Sequence, residues 1–176
     1  WLDKVEAVLT EAIKFCRLYN DGYVTFLELH KLETMPNYFI AKLEIVKKKF
    51  TSNLLSLKDC YDASSSIDFF QKEFFSLDTR TLSIIQSEIT RITNCFVSDY
   101  DVLHTFCPKK EEINFHGFYD LIQNGTIVVL NMNLSQYRNL SKIIAAYLKL
   151  DFQTEILNRL SSIPLVSTRS VAFICD

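Results

Sequence analysis

The sequence predicts a mainly α fold, with a helical bundle over residues 1–125 followed by a partial α/β βαβ unit over residues 126–176. Chain breakers are scarce, since only 3 Gly and 3 Pro occur among 176 residues, and this favours long helices over a turn-rich β fold. Apolar residues recur at helical spacing through most of the first region. After Gly125, two short continuous apolar runs, 126–132 and 170–176, flank one long helical pattern, which is typical of a βαβ unit.

The composition predicts a substantial buried core and a reducing compartment. The sequence is 48% hydrophobic, with 14 Phe and 8 Tyr, which argues against disorder. Its net charge is -2, so any contact with nucleic acid must be local. No apolar stretch reaches the roughly 18 residues that a membrane span needs. The cysteines form no CxxC pair and are interpreted as free thiols: Cys16, Cys60, Cys95, Cys107 and Cys175.

The two ends of the chain are unusual for a soluble domain. The sequence opens on Trp1 rather than Met and closes on the apolar run "SVAFICD". We therefore expect a segment of a larger protein.

Periodicity and caps predict the first three helices. Residues 2–18 carry one apolar face at helical spacing. Thr25 and Glu28 stand at the spacing of a capping box, which predicts that a second helix begins there. Pro36 fits the first turn of a third helix, which we expect to run to about Ser56.

The middle of the chain combines a polar stretch with two further helical patterns. Residues 58–66 are polar and are predicted as a loop, and helices are predicted over 66–76 and 78–97. The second of these has a clear apolar stripe, formed by Leu82, Ile85, Ile89, Ile92 and Phe96.

The pattern then changes from helical to mixed. Residues 107–115 form a charged connector, and a short helix over 115–123 is expected to end at Gly125. Between the two apolar runs, residues 135–162 are predicted as one long helix that ends before Pro164.

Asp176, at the end of the second apolar run, is the candidate catalytic and magnesium-binding acid. Ligands of open parallel sheets bind beyond the carboxyl ends of the strands, and phosphate-loop ATPases hold Mg²⁺ with an acid at that place. A surface or strand-capping acid is the alternative interpretation. The partner motif GxxxxGK[ST] is missing, because Tyr, Phe and Thr follow the three glycines. The chain alone should therefore neither bind nor hydrolyse ATP.

A basic run and two aromatic pairs are candidate contacts with nucleic acid. Lys47, Lys48 and Lys49 form the densest basic run. The run would suit a contact with DNA phosphates or an acidic partner, but a solvated helix face is the favoured interpretation of such a charge run. The phenylalanine pairs at 69–70 and 74–75 would suit stacking on bases. Because they stand at helical spacing, they are interpreted as core.

Metal binding and nucleophilic catalysis have little support in the sequence. Cys95, His104, Cys107 and His116 lie close in sequence, but their spacing lacks the tight pairs of zinc sites. His30 is interpreted as a polar helix-face residue rather than a ligand. No local signature of a nucleophile accompanies any cysteine or histidine.

Several stretches, in this order, resemble type IV secretion coupling proteins, the conjugative DNA-transfer ATPases of the TraG/TraD type. "WLDKVEAVLTEAIKF" and "GYVTFLELHKLE" resemble the segment after their phosphate loop. "EFFSLDTRTLSIIQSEITRITNCFVSDYDVLHTFC" is similar to their helical insert, and "GTIVVLNMNLSQYRNLSKIIAAYLKLDFQTEILNR" to the strand and helix that return to the ATPase core. "SVAFICD" resembles the Walker B strand. The resemblance covers nearly the whole chain.

The resemblance implies a bacterial, membrane-anchored hexameric ATPase with a RecA-like core and an all-α domain facing the cytoplasm. Such proteins couple relaxase–DNA substrates, with single-stranded DNA, to the ATPases of a secretion channel. Residues 1–125 would serve recognition of the substrate or relaxosome, and residues 126–176 would be a piece of the RecA-like core. This chain would be a cytoplasmic portion of an inner-membrane-associated protein.

The resemblance also assigns residues and cofactors. Asp176 would be the Walker B aspartate, and ATP and Mg²⁺ would bind only to the intact protein. The glutamate that usually follows that aspartate is absent here, as is the phosphate loop. Arg159 and Arg169 are both candidates for the arginine finger, and neither is fixed by a motif. The alternative is a free-standing α-helical protein-interaction module without an ATPase parent.

Overall fold

The computed structural model describes residues 2–52, 54–162 and 170–174. This part of the chain is mainly helical, as the sequence predicts. A π-helix, Phe69–Phe74, directly continues α4, and a short 3-10 turn covers Lys110–Glu112. The α-helices of the described residues are α1 Leu2–Tyr19, α2 Phe26–Thr34, α3 Pro36–Thr51, α4 Leu57–Asp68, α5 Thr79–Val97, α6 Tyr100–Phe106, α7 Phe118–Asn124 and α8 Arg138–Ser162.

The chain divides into two compact units, residues 1–110 and 111–176. The first unit holds α1 to α6, and the second holds α7 and α8. The sequence pattern changes at Gly125, so the division into units comes earlier in the chain than the change in pattern.

The core of the first unit is built from one apolar face of each of its longer helices. On α1 the buried positions recur every three or four residues, and Asp3 and Arg17 complement the helix dipole at its two ends. On α5 the predicted stripe is confirmed, with Ile85 and Ile89 fully buried. The buried core includes Val5, Val8, Ala12, Phe15, Leu29, Leu32, Phe39, Leu43, Val46, Phe70, Phe74, Ile85 and Ile89.

A cluster of phenylalanine rings occupies the centre of this core. Phe70 is fully buried, and the centroid of its ring lies 5.0 Å from that of Phe39 and 6.2 Å from that of Phe15. In the π-helix the N–H of Phe75 donates to the carbonyl of Phe70, 3.0 Å away and five residues back. The two phenylalanine pairs both pack on the core, which confirms their interpretation as core residues.

Several predicted helix ends are confirmed by local hydrogen bonds. The side-chain oxygen of Thr25 accepts from the N–H of Glu28 at 3.2 Å, and this caps the start of α2. Pro36 occupies the first turn of α3. Gly125 has φ 66° and ends α7 in the left-handed conformation that favours glycine.

The loop predicted over residues 58–66 is wrong, because α4 covers this stretch. Ser56 and Asp59 form a reciprocal capping box that begins the helix. The buried face of α4 uses small residues, and it therefore lacks an apolar stripe. One of them is Ser66, whose hydroxyl donates to the Glu11 carboxylate at 2.8 Å.

Two further differences from the predicted helices concern their ends and number. The third helix ends at Thr51 rather than near Ser56. The short helix α6 was not predicted. It begins at Tyr100 and is capped by Asp99, whose side chain accepts from the N–H of Val102. α6 packs on α5 through Phe96 and Phe106.

In the second unit, α7 packs against α8. The predicted long helix is confirmed, although it begins at Arg138. Aromatic rings connect α7, α8 and residues 170–174 of this unit. The Phe118 and Phe152 ring centroids lie 5.4 Å apart, and the Phe152 and Phe173 centroids lie 5.0 Å apart. Leu140 on α8 is buried.

The predicted βαβ unit is not formed in the described part of the chain. Residues 126–132 and 170–174 are neither helical nor paired as strands, and residues 175–176 lie outside the described residues. Ile127 is 90% exposed and Val129 is 80% exposed. An apolar strand buried on both faces needs sheet neighbours and a cover on each face, and the described residues supply neither.

Replacing Phe70 with alanine should destabilise the first unit strongly, because the change removes a fully buried ring from the centre of the core. We expect a loss of about 3–5 kcal/mol in the free energy of unfolding, measured by chemical denaturation. The matched control is Phe50→Ala on α3, where the ring is 52% exposed. A loss of about 0.5 kcal/mol is expected there, and equal losses for the two variants would contradict the assigned core.

Candidate functional site

Lys49, one of the three predicted contact lysines, is engaged in the fold of the first unit. Its ammonium donates to the Asp21 carboxylate at 2.6 Å and to the carbonyl of Leu18 at 2.8 Å. These bonds tie α3 to the turn after α1, where Asp21 has φ 49°. The ammonium of Lys110 donates to the Asp21 carbonyl at 3.0 Å. Lys49 is therefore placed to hold this turn.

The other two lysines of the run remain on the surface of α3. Lys47 pairs with Glu44 one turn earlier, at 3.0 Å, and both side chains are more than half exposed. Lys48 is exposed and makes no ion pair within the described ranges. The run therefore does not act as one basic patch, and Lys48 is its most accessible charge.

A cavity of about 460 Å³ opens beside Lys49, between α1, α3 and α4. Its charged lining is balanced between cations and carboxylates, so it lacks the positive excess of a phosphate site. The Ser56 hydroxyl, and more weakly Arg17 and Lys58, hold the pKa of the Asp59 carboxyl below its ordinary value. The charged residues of the lining are Lys14, Arg17, Asp21, Lys49, Asp59 and Asp62.

A polar cluster joins α1, α2 and α3 on another side of the same unit. The hydroxyls of Tyr19 and Tyr38 both donate to Oε2 of Glu28, at 2.5 and 2.6 Å. The ammonium of Lys42 lies 4.8 Å from the centroid of the Tyr19 ring and 4.9 Å from that of the Tyr38 ring. The Cys16 sulfur lies 3.2 Å from the Tyr19 hydroxyl.

The electrostatics of this cluster favour a structural role. Burial above all raises the pKa of Tyr19 and of Tyr38. Cys16 and then Glu28 raise the pKa of Tyr19 further, and the hydrogen bond to Glu28 raises that of Tyr38, so both phenols stay neutral and donate. Burial raises the pKa of the Cys16 thiol to about 12. A buried thiol with so high a pKa is a poor nucleophile near neutral pH.

His30 bridges α2 to α5 through a hydrogen bond. Its Nδ1 lies 2.9 Å from the hydroxyl of Thr93, and that hydroxyl donates to the carbonyl of Ile89 at 3.0 Å. Nδ1–H is therefore the donor to Thr93. Burial lowers the pKa of His30, so its neutral form is favoured.

The four residues considered for a metal site lie on different elements. Cys95 is on α5, where its thiol donates to the carbonyl of Ile92, and His104 is on α6 with its ring 4.4 Å from that of Tyr100. Cys107 follows α6. His116 belongs to the second unit. No group of three or more His, Cys, Asp or Glu side chains that could hold a metal ion occurs in the described part of the chain.

The remaining predicted site residues lie in the second unit. Asp176 and Arg169 fall outside the described residues. Arg159 lies near the end of α8, and its Nε is buried without a hydrogen-bond partner among residues 2–52, 54–162 and 170–174.

An exposed apolar segment, Ile127 to Leu130, is the main surface feature of the second unit. All four side chains are at least half exposed or nearly so, and no charged residue occurs from Thr126 to Tyr137. None of the backbone groups of residues 127–130 has a hydrogen-bond partner in the described ranges. The sequence predicts a strand over residues 126–132, and within the described ranges these residues do not pair with another strand.

No helix within the described ranges is both long enough and apolar enough to cross a membrane. The chain matches no protein-family model, no curated protein and no solved structure. Function must therefore be inferred from the residues themselves.

Replacing Lys49 with alanine should lower the midpoint of thermal unfolding, because the turn after α1 loses both bonds from its ammonium. Lys48→Ala, the matched control one residue away, should leave the midpoint unchanged. Circular dichroism during heating measures both. Equal midpoints for the two variants would contradict the structural role of Lys49.

Proposed function

We propose that this chain belongs to a coupling ATPase of conjugative DNA transfer. In this proposal the helical region, residues 1–125, recognises relaxase–DNA or protein substrates, and residues 126–176 are part of a RecA-like core. The ordered resemblance of five stretches to the TraG/TraD type supports the proposal. The structural observation that carries it is the exposed apolar segment Ile127 to Leu130.

The apolar segment fits a strand that lacks its sheet. Fully burying a Val, Leu or Ile side chain is worth about 1.5–3 kcal/mol. Burial of these four adjacent side chains against another protein surface would therefore be favourable. Their backbone groups are also without partners in the described part of the chain, as a strand outside its sheet would be. In coupling ATPases, the strand that this segment resembles lies in the core of the ATPase.

The glycines of the chain do not form a phosphate loop. Gly22 lies in the turn after α1, Gly117 begins α7 and Gly125 ends it. None of these positions precedes a lysine and a Ser or Thr, so none of them heads the phosphate-loop motif. ATP and Mg²⁺ are therefore proposed for the intact protein only, with Asp176 as the magnesium-side acid, and no catalytic step is assigned to this chain.

The first unit suits recognition better than catalysis. The phenols of Tyr19 and Tyr38 and the ammonium of Lys49 are committed to contacts between elements of the fold, and the Cys16 thiol is buried against the Tyr19 hydroxyl within α1. Contact with single-stranded DNA or an acidic partner is proposed for the surface around Lys47 and Lys48. In the intact protein the further partners are the relaxosome and the secretion-channel ATPases, at the cytoplasmic side of the bacterial inner membrane.

A free-standing α-helical interaction module is the second candidate. The observation in its favour is that the first unit completes a buried core from its own helices, while the described residues contain no paired strand. In that case the apolar segment would bind a partner protein rather than return to an ATPase core.

The codons that flank this chain distinguish the two candidates. The ATPase proposal expects GxxxxGK[ST] upstream and an acidic residue directly after Asp176, because nucleotide hydrolysis needs a phosphate cradle and a base. Sequencing the gene provides the measurement. Absence of both features would overturn the ATPase proposal and leave the interaction module.

Substrate recognition can be tested with the purified chain immobilised as bait. We expect it to retain purified relaxase bound to single-stranded DNA, more strongly at low salt than at high salt if phosphates are contacted. Lys48→Glu should weaken DNA retention. It should also reduce the slope of log affinity against log salt concentration by about one. The control is Lys72→Glu, which changes another exposed lysine, one that pairs with Asp68. Failure to retain relaxase and DNA at either salt concentration would contradict the proposed recognition role.

The exposed apolar segment should make the isolated chain self-associate, because water-exposed apolar side chains and unpaired backbone favour pairing. Sedimentation velocity across a wide range of protein concentrations measures this. Val129→Asp should yield monomers, whereas Leu57→Asp, at a 92% exposed position of α4, should not. A strictly monomeric wild-type chain would contradict this expectation.

A further inference from the structure

We propose that Glu33 makes the packing of α2 against α5 sensitive to pH. The interface is closed while the Glu33 carboxyl carries a proton, and it loosens when that proton is lost in mildly alkaline solution. This pH-sensitive packing belongs to the first unit and does not depend on the proposed ATPase parent.

The position of Glu33 is fixed by the helices around it. It lies one residue before the end of α2, which packs against α1, α3 and α5, and its side chain is fully buried. Leu32 beside it is buried as well, as are Ile85 and Ile89 on α5. The side-chain amide of Gln86 on α5 donates to the backbone carbonyl of Glu33 at 2.7 Å, which holds the two helices together at this residue.

The carboxyl of Glu33 has no partner in the described part of the chain. Both of its oxygens are buried, and neither forms a hydrogen bond with any residue among 2–52, 54–162 and 170–174. Leaving a buried carboxylate charged and unpaired is costly, and proteins usually neutralise such a group by protonation. Burial alone raises the pKa of the Glu33 carboxyl to about 8, with no contribution from a neighbouring charge.

The titratable groups on the surrounding helices are engaged with other partners. Tyr19 on α1 and Tyr38 on α3 donate to Glu28, and Lys42 on α3 lies over the rings of both tyrosines. Cys16 on α1 feels the charge of Glu33 but is neutral, because burial holds its pKa near 12. On α2 itself, Lys31 lies over the Tyr38 ring and His30 bonds to Thr93.

The cations of α5 do not pair with the Glu33 carboxylate. Gln86 and Thr93 of α5 hydrogen-bond to α2, and neither of these side chains titrates. Arg80 is exposed in the first turn of α5. Glu88 and Arg91 pair with each other at 3.0 Å on the exposed side of the helix. An ionised Glu33 would therefore have to draw in water or separate α2 from α5.

The direction of the pH effect follows from the raised pKa. Below the ordinary glutamate value near 4.5, Glu33 is protonated in the folded and unfolded states alike. Between that value and about 8, only the unfolded chain releases the proton, so rising pH favours unfolding by about tenfold per pH unit. Above about pH 8 both states are ionised, and the effect levels off.

The experiment compares the unfolding equilibrium of the wild-type chain with that of Glu33→Gln from pH 5 to pH 9. The uncharged amide mimics the protonated acid. His30 changes the stability with pH in the opposite direction, but it does so in both chains, so its effect cancels when the two are compared. The variant should gain about tenfold in relative stability per pH unit and then level off near pH 8. The control Glu44→Gln, which removes an exposed acid from α3, should show no such trend.

Two further readouts keep the test decisive if Glu33→Gln folds poorly. The carboxyl carbon of Glu33, followed by NMR in the wild-type chain, should titrate with a midpoint near 8. Amide exchange along α5, corrected for its intrinsic pH dependence, should accelerate above that pH. A carboxyl midpoint near 4.5, or a stability ratio that does not change with pH, would overturn the proposal.

Discussion

The packing of Phe70 among rings from several helices is the interaction on which the first unit depends. Its ring packs against those of Phe15 on α1 and Phe39 on α3, and the π-helix also places Phe75, five residues on, against it. α2 and α5 pack against each other and against α1, and they enclose the remaining sides of the core. The polar contacts of Glu28 and the buried carboxyl of Glu33 belong to these packed helices.

Helices with a strong local signal were predictable from the sequence. The stripe of α5, the cap at Thr25 and the end of α7 at Gly125 are three separate local signals. Each is formed by residues only a few positions apart in the sequence, and the structure confirms all three. α4 was missed because Ala63 and Ser66 form its buried face, and small residues produce no apolar stripe. The capping box at its start was the available signal.

Features that arise from tertiary contacts were not predictable. The bond between Lys49 and Asp21 joins residues far apart in sequence, so the basic run gave no sign that one of its lysines is committed to the fold. Glu33 looks like an ordinary surface acid in the sequence. Only the approach of α5 shows that its carboxyl is enclosed.

The polar side chains discussed for the first unit are therefore largely used in contacts within the fold. Its exposed surface is the part available to bind a partner. The second unit differs, because its apolar segment at 127–130 is exposed and its backbone is unpaired in the described part of the chain. This contrast underlies both the proposed place of the chain in a coupling ATPase and the alternative of a partner-binding module. In both proposals this segment becomes buried, either in an ATPase core or against a partner protein.

Hydrogen exchange at the amides of residues 127–130 shows whether the apolar segment is an uncovered strand. The amides should be compared in this chain alone and in the longer protein that the coupling-ATPase proposal expects. We expect fast exchange in the chain alone, slow exchange in the longer protein, and slow exchange along α5 in both. Protection of these amides in the isolated chain, or fast exchange in both proteins, would contradict the claim that this segment is an uncovered strand of a larger core.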